Sequence, residues 1–219
     1  MNINMDRRTA PVNKKRPYDA SRRQDQARRN RDAIIEAAER RFLDDGYART
    51  TIAAIAADSG VSVHTIYKSF GAKPGLILAI RSRALEGQGP VPAEQRSDQL
   101  HAGDTDARTI IEGWGALSAE VAPRVAPILL LIRDAAATDP EVLALQEELD
   151  ADRLRRMTDN ARRLRDAGQL RPGISLARAA DVLWTYSAPD LYELLVVRRR
   201  WPPKRYGSFV ADALTNALL

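Results

Sequence analysis

The side chains best suited to chemistry in this chain lie together on one predicted helix. Ile66 and Phe70, four residues apart, point from this helix toward a core. The opposite face carries hydroxyl, imidazole and ammonium groups, which suit contacts with phosphates and the edges of nucleic-acid bases. The residues of this face are Ser62, Val63, His64, Thr65, Tyr67 and Lys68.

A second short helix is predicted immediately before this one, with a sharp corner between them. Ile52, Ile55 and Ala56 form its inward stripe. Gly60 stands at the corner, where the left-handed backbone favours glycine, and Ser62 is a good N-cap for the helix that follows. Two short helices joined in this way predict a helix-turn-helix unit that reads the major groove of DNA.

Further helices are predicted on both sides of this unit, and together they give a DNA-binding domain over residues 30–80. The upstream helix ends near Gly46, and a fourth helix that leads to the rest of the chain begins at about Lys73-Pro74. A glycine in its first turn, Gly75, is expected to weaken that helix by about 0.5–1 kcal/mol relative to alanine. The apolar stripes are Ile34, Ile35, Ala38, Phe42 and Leu43 upstream, and Leu76, Ile77 and Ile80 downstream.

These residues resemble the TetR family of bacterial transcriptional regulators. The resemblance is dense over residues 30–80, and the remainder is compatible with that family's ligand-binding and dimerisation domain. The elements that carry it are Ile34-Ile35-Glu36-Ala37-Ala38, Phe42, Gly46-Tyr47, Thr50-Thr51-Ile52, Ile55-Ala56, Gly60-Val61-Ser62, Thr65-Ile66-Tyr67, Phe70, Lys73 and Leu76.

The resemblance implies roles for individual residues in DNA binding. Thr51 would cap its helix and donate to a phosphate, or simply cap the helix. Tyr67 and Lys73 would reach the DNA backbone, although Tyr67 could instead serve only in packing. Lys68 would make a general electrostatic contact rather than a specific one. His64 would donate to a purine or be a bystander. The predicted DNA-contacting residues are Thr50, Thr51, Ser62, Val63, His64, Thr65, Tyr67, Lys68 and Lys73.

Composition narrows the class of protein. The chain has 219 residues, 44% of them hydrophobic, and no cysteine, which excludes disulfides and cysteine zinc sites. The longest apolar run, Val125–Ile132, is too short for a membrane-spanning helix, and the charged N-terminus resembles no secretion signal. We therefore expect a cytoplasmic protein without a membrane segment.

The net charge of +5 is distributed unevenly along the chain. Residues 1–31 contain ten Lys and Arg against three Asp, which leaves 24 basic and 26 acidic residues in the rest. Residues 1–29 are predicted to be a basic, disordered arm. Such an arm either neutralises DNA phosphates beside the reading domain or serves only as a solubilising tail.

The remainder of the chain is predicted to be a helical body over residues 106–219, after a linker or loop over residues 87–105 that is rich in glycine and proline. The fold class is therefore all-α, with a three-helix DNA-binding head and a C-terminal bundle. The last two helices carry more apolar surface than one face needs. That surface either closes the monomer's own core or joins two copies as a homodimer, which we favour.

A ligand pocket is a weaker prediction for the body, because residues that line a cavity and residues that fill a core have the same composition. Arg133, at the end of the most apolar run, would meet a ligand carboxylate or form an ion pair, and we favour the ion pair. The candidate pocket residues are Trp114, Leu131, Arg133, Met157, Trp184, Tyr186 and Tyr192.

Catalysis is disfavoured, since the two histidines lie in the reading helix and the linker, and no phosphate-binding loop or metal motif is present. No cofactor or metal is expected. The prediction is a homodimeric repressor that binds a palindromic double-stranded DNA operator and is released by a small-molecule effector. The alternative is a sequence-tolerant architectural DNA-binding protein, or a regulator controlled by a protein partner.

Overall fold

A computed structural model of the chain describes residues 18–87, 91–102 and 105–219, with side chains from residue 21 onward. These residues form ten α-helices and one π-helical segment, and contain no strand, which agrees with the predicted all-α class. The helices are α1 (Tyr18–Asp45), α2 (Ile52–Ser59), α3 (Val63–Phe70), α4 (Lys73–Glu86), α5 (Ala93–Gln99), α6 (Ala107–Ala136), α7 (Pro140–Asp166), α8 (Leu176–Tyr186), α9 (Pro189–Tyr192), the π-helical segment (Glu193–Arg198) and α10 (Pro203–Leu218).

The head consists of α1, α2, α3 and the first turns of α4. Gly60 ends α2 in the left-handed conformation, with a φ of 67°, and Ser62 caps α3, as the sequence predicted. Gly75 was expected only to weaken α4, but a Cβ at this position would lie 1.9 Å from the carbonyl oxygen of Phe70. Glycine is therefore needed here to let the end of α3 approach α4. The core of the head is formed by Ile34, Phe42, Ile55, Ile66, Leu76, Ile77 and Ile80, none more than 1% exposed.

The head core continues into the body without a break. Ile128 and Ile132 of α6 and Val142 of α7 belong to the same buried cluster as the head residues, and Leu131 is packed against it. The two domains therefore share apolar surface, and the junction is formed by α4 together with α6 and the start of α7.

A second buried cluster holds the body together around α6, α7, α8 and α10. Helices α6 and α10 cross at Gly115 and Gly207. A Cβ at Gly115 would lie 2.6 Å from the carbonyl oxygen of Gly207, and a Cβ at Gly207 would lie 2.3 Å from that of Gly115. Two backbones this close leave no room for a side chain, so glycine is needed at both positions.

Helix α6 runs unbroken for 30 residues, with Pro123 and Pro127 inside it. By length and composition it would be able to cross a membrane, which the count of consecutive apolar residues had not revealed. In the described chain it packs against α4, α7 and α10. This is the position of a central helix in a bundle. Such helices can be as long and as apolar as membrane-spanning helices.

Two predicted irregular segments differ from expectation. Within the predicted linker, α5 packs against α6: Ser97 is 8% exposed and accepts a hydrogen bond from the Trp114 indole at 3.1 Å. Arg96 also forms a bidentate salt bridge with Glu120, at 2.6 and 2.8 Å. Residues 18–29, predicted to be part of a disordered arm, are instead the first turns of α1. The rest of that arm, residues 1–17, lies outside the described residues.

Candidate nucleic-acid interface and body cavity

The outward face of α3 is a compact polar surface. Tyr67 is 53% exposed and Val63 is 39% exposed, and His64 and Lys68 are exposed beside them. Ile66 fixes the helix from behind because it is completely buried. The side chains predicted to contact DNA on this helix therefore lie together on one surface.

The N-terminus of α3 is held by its own side chains. Ser62 Oγ accepts a hydrogen bond from the backbone N–H of Thr65 at 3.1 Å, and the hydroxyls of Ser62 and Thr65 are 2.8 Å apart. Thr65 is only half exposed. Part of the hydrogen-bonding capacity of Ser62 and Thr65 is therefore already used within α3.

The two threonines at the start of α2 have different environments. Thr51 is exposed, and its hydroxyl caps the helix by accepting from the N–H of Ala54 at 3.1 Å, which leaves its own O–H free to donate. Thr50 is 2% exposed, and its hydroxyl lies within hydrogen-bond distance of the carbonyls of Arg41 and Gly46, at 3.0 and 2.8 Å. The prediction of Thr50 as a DNA contact is therefore wrong, because its only donor is used inside the head.

Lys73 is more enclosed than the sequence indicated. Its ammonium donates to the carbonyl of Tyr47 at 2.8 Å and stands 4.2 Å from the centre of the Tyr47 ring. Burial lowers the pKa of Lys73, and the nearby Asp139 opposes this shift. One of its three N–H donors links α4 to the end of α1, and two remain for other partners.

Salt bridges fix the orientation of the helices in the head. Arg41 of α1 binds Asp58 of α2 through two hydrogen bonds, at 2.6 and 2.9 Å. The hydrogen bond from Arg41 lowers the pKa of the Asp58 carboxyl. Arg83 of α4 also pairs with Glu39 of α1. These contacts tie α2 and α4 to α1, the three helices that surround α3 in the head.

A cavity of about 700 Å³ lies inside the body. Trp114, Arg133, Met157, Trp184 and Tyr186, all predicted pocket residues, line it. The prediction is wrong for two others. Leu131 packs against the head cluster and does not line the cavity, and Tyr192 is 7% exposed and packs edge-on against the Tyr206 ring at 5.6 Å.

Most charged groups on the cavity wall are paired. Arg133 donates to Asp190 and Glu193, at 2.7 and 2.8 Å, so the ion-pair interpretation of this residue is confirmed. Its hydrogen bonds to Glu193 and Asp190 raise its pKa. Arg153 contacts Asp150, and Arg156 contacts Asp98.

Three wall residues that the sequence analysis missed supply polar groups. Asn160 is 3% exposed, and its Oδ1 has no hydrogen-bond partner among the described residues. It lies between Met157 and Leu164 on the inward face of α7, and a polar residue at an inward position was the available signal. Arg81 of α4 also lines the cavity, and burial lowers its pKa against the opposing charge of Glu94. Burial raises the pKa of Tyr206 to about 12, which keeps its hydroxyl neutral.

In the part of the chain that is described, no group of three or more His, Asp or Glu side chains is arranged to hold a metal ion. The arrangement instead combines an exposed polar helix on a rigid head with a largely apolar cavity in the body. Helix α4 belongs to both, since it begins against Tyr47 in the head and contributes Arg81 and Leu85 to the cavity wall.

Comparison with known proteins agrees with this arrangement. Residues 34–80 match the family model of bacterial regulatory proteins of the tetR family. No curated protein sequence matches the chain significantly.

Solved structures match over nearly the whole chain. The complex of SmeT with triclosan is 26% identical with a TM-score of 0.68, covering 87% of this chain and 91% of that one. NalD, the secondary repressor of the MexAB-OprM multidrug efflux pump in Pseudomonas aeruginosa, is 19% identical with a TM-score of 0.69, covering 89% and 98%. The helix-turn-helix head, the family match over that head and the shared all-helical fold lead to one conclusion: the head of this chain is that of a tetR-family bacterial regulatory protein, and the chain as a whole has the all-helical fold of SmeT and NalD.

Proposed function

We propose that this protein is a homodimeric repressor that binds a palindromic DNA operator and is released by a small molecule. The observation that carries the proposal is the position of α4, whose first residue contacts the head and whose later turns form part of the cavity wall. A molecule bound in the cavity would contact the helix that orients the reading surface. Such a molecule would release the protein from DNA only if it bound the arrangement that cannot bind DNA more tightly than the arrangement that can.

The exposed face of α3 supports sequence reading in the major groove. Val63 offers methyl groups to thymine and His64 offers a donor to a purine acceptor. Tyr67 and Lys68 are exposed, and Thr51 keeps a free O–H, which supports phosphate contacts by these three residues. The two remaining donors of Lys73 extend this set, while Thr50 is excluded from it.

The basic first turns of α1 add charge to the head. Arg22, Arg23, Arg28 and Arg29 are exposed, and Arg28 forms a salt bridge with Asp25 at 3.1 Å. We propose that this segment contributes salt-dependent binding to phosphates in addition to the contacts of α3.

An apolar surface on α8 and α10 supports dimerisation. Val182 and Tyr186 of α8 and Phe209 and Ala213 of α10 remain partly exposed in the single chain, and the Tyr186 and Phe209 rings lie 6.4 Å apart. Burial of this surface against a second copy would place two α3 helices on one duplex, with half-sites about one helical turn apart.

Small-molecule control is supported by the size of the cavity, which lies within the range of about 300–1,000 Å³ typical of ligand sites. One structural neighbour, SmeT, is solved with triclosan, and another, NalD, is a repressor of a multidrug efflux pump. We propose the same mode of control for this chain, without assigning it either molecule or either target.

The test begins with duplexes selected from a random pool by the purified protein. Fluorescence anisotropy then compares the selected site with pool DNA for the wild type, Tyr67→Phe, Lys68→Ala and His64→Ala. We expect a palindromic site bound by a dimer, about 10-fold or more loss for His64→Ala at that site, and similar losses on all sequences for the other two variants.

Lys204→Ala, an exposed lysine at the start of α10, is the matched control and should bind normally. Weak binding that is steeply salt-dependent and indifferent to sequence would contradict the proposal and favour the architectural alternative. Specific binding that no cavity-directed compound reverses would retain the DNA-binding part and reject small-molecule release.

A further inference from the structure

We propose that the effector of this regulator is an organic anion, a molecule with an apolar body and a carboxylate or similar acidic group, and that Arg81 is the residue that binds the acidic group. This inference rests on the proposed function, since it names the class of ligand for the body cavity. It follows from the charges on the cavity wall and from which of them already have partners.

The cavity wall holds four arginines, and three of them are already neutralised within the chain. Arg133 bonds to Asp190 and Glu193, Arg153 pairs with Asp150, and Arg156 pairs with Asp98. Arg153 also donates to the Trp184 carbonyl at 2.5 Å and lies over the Trp184 ring at 4.5 Å. Their guanidinium groups serve as structural links between helices.

Arg81 differs from these three arginines. It is half-buried on α4 at the cavity, and its guanidinium forms no salt bridge or hydrogen bond with any described residue. A guanidinium that is partly removed from water without a partner loses favourable hydration, which raises its free energy. Hydrogen bonds and charge from an anionic ligand would offset that cost. The flat fork of five N–H donors matches the two oxygens of a carboxylate.

The carboxylates of the cavity wall do not neutralise Arg81 at close range. Asp150 and Asp190 pair with Arg153 and Arg133, and Asp152 pairs with Arg155. Glu94 of α5 is the acidic residue whose charge acts on Arg81, but it is exposed and does not form a salt bridge with it. Glu94 is therefore a weak competitor that an incoming acid would have to displace.

Two polar atoms of cavity-wall residues also have no partner in the described chain. They are the Oδ1 of Asn160 and the Nε1 of Trp184, and both are buried. Neighbouring protein atoms cover them, so a polar ligand would reach them only by displacing those neighbours. Leu117, Val121 and Leu129 supply the apolar wall for the body of the ligand.

The experiment uses three probes that share one body and differ only in charge: 2-naphthaleneacetate, its neutral amide, and 2-(2-naphthyl)ethylamine. Calorimetry measures their binding to the full-length protein, and matched sets with phenyl and decyl bodies are measured in the same way. We expect the anion to bind most tightly in every set that binds, by about 10-fold to 100-fold over the amide.

Variants assign this preference to one residue. Arg81→Gln should abolish the advantage of the anion over the amide while leaving amide binding unchanged, and Arg81→Lys should retain part of it. Glu94→Gln should strengthen anion binding because the competing carboxylate is gone. Arg108→Gln, at an exposed arginine outside the cavity, should leave all affinities unchanged.

The outcomes separate this inference from the proposed function. If the amides or amines bind as tightly as the anions, or if Arg81→Gln keeps the anion preference, the anionic class is overturned while the cavity remains a ligand site. If no member of any set binds, the cavity does not accept these small molecules, so the anionic class and small-molecule release are both overturned while DNA binding by the head is retained. Thermal unfolding of Arg81→Gln should show a stability equal to or above that of the wild type, which excludes misfolding as the cause of lost binding.

Discussion

The head and the body of this protein satisfy their buried polar groups in different ways. In the head, the buried Thr50 hydroxyl lies within hydrogen-bond distance of two carbonyls. In the described chain, the buried polar side-chain atoms without a partner all lie in the body, at His101, Asn160, Gln169 and Trp184. The head is complete in itself, whereas the body contains space and hydrogen-bonding capacity that its own residues do not fill.

This difference matches the two proposed tasks. A reading surface must hold its side chains within a fraction of an ångström of the productive geometry, which needs a filled core and fixed caps. A site for a small molecule must instead keep volume and unpaired groups available, at some cost in stability. Three pairs of substitutions test this comparison: two set the head against the body, and one sets a tightly packed site in the body against a looser one.

The largest expected effect comes from truncating matched aliphatic side chains. Ile66→Ala removes a fully buried side chain from the head and should lower the free energy of unfolding by about 2–5 kcal/mol. Leu117→Ala shortens a half-buried cavity wall residue and should cost less than about 1.5 kcal/mol, since the space beside it is already open. Urea denaturation measures both. Equal losses would show that the cavity wall is packed as tightly as the head.

The second pair compares two glycines on α6. Gly115→Ala places a methyl group against the backbone of Gly207, which cannot yield, and should destabilise the protein by about 1–3 kcal/mol. At Gly113 the new methyl group would meet only the flexible end of the Leu100 side chain. Gly113→Ala should therefore be neutral or stabilising, by up to about 1 kcal/mol from the better helix propensity of alanine. Thermal unfolding distinguishes the two, and a destabilised Gly113→Ala would contradict this description of the helix crossing.

The smallest effects should have opposite signs. Thr50→Val removes a satisfied hydroxyl from the head and should destabilise the protein by about 1–2 kcal/mol. Asn160→Leu removes a buried oxygen that has no partner within the described part of the chain and should stabilise the protein by about 1 kcal/mol while weakening ligand binding. Denaturation and calorimetry on the same samples provide the comparison. A destabilised Asn160→Leu would indicate that this side chain already has a partner in solution.

The head was predictable from sequence because its signals are local. A cap at Ser62, a corner at Gly60 and an apolar stripe each depend on residues within one or two helical turns. Thr50 and Gly75 were misjudged because their roles depend on contacts with a neighbouring helix or loop. Only the packing of α1 against the loop before α2 shows that Thr50 is buried and Thr51 is exposed.

The cavity was less predictable, and the reasons are specific. The stretch Val125–Ile132 is apolar on all sides, so its sequence does not reveal that Leu129 and Ile132 line the cavity as well as packing with the head cluster, whereas Leu131 packs with that cluster alone. Arg81 was overlooked because the segment that covers it was predicted to be a linker. Only the packing of α5 shows that this arginine is enclosed, since Ala93 and Ser97 line the cavity with it.

The shared position of α4 has a consequence for how the proposed regulator would respond to different promoters. Coupling between two binding sites is reciprocal, so a small molecule that weakens operator binding is itself bound more weakly by the operator-bound protein, by the same factor. The concentration of effector needed for release therefore rises with the affinity of the operator. A single pool of this protein would then release weak operators first and strong operators last, so that one effector signal produces an ordered series of responses.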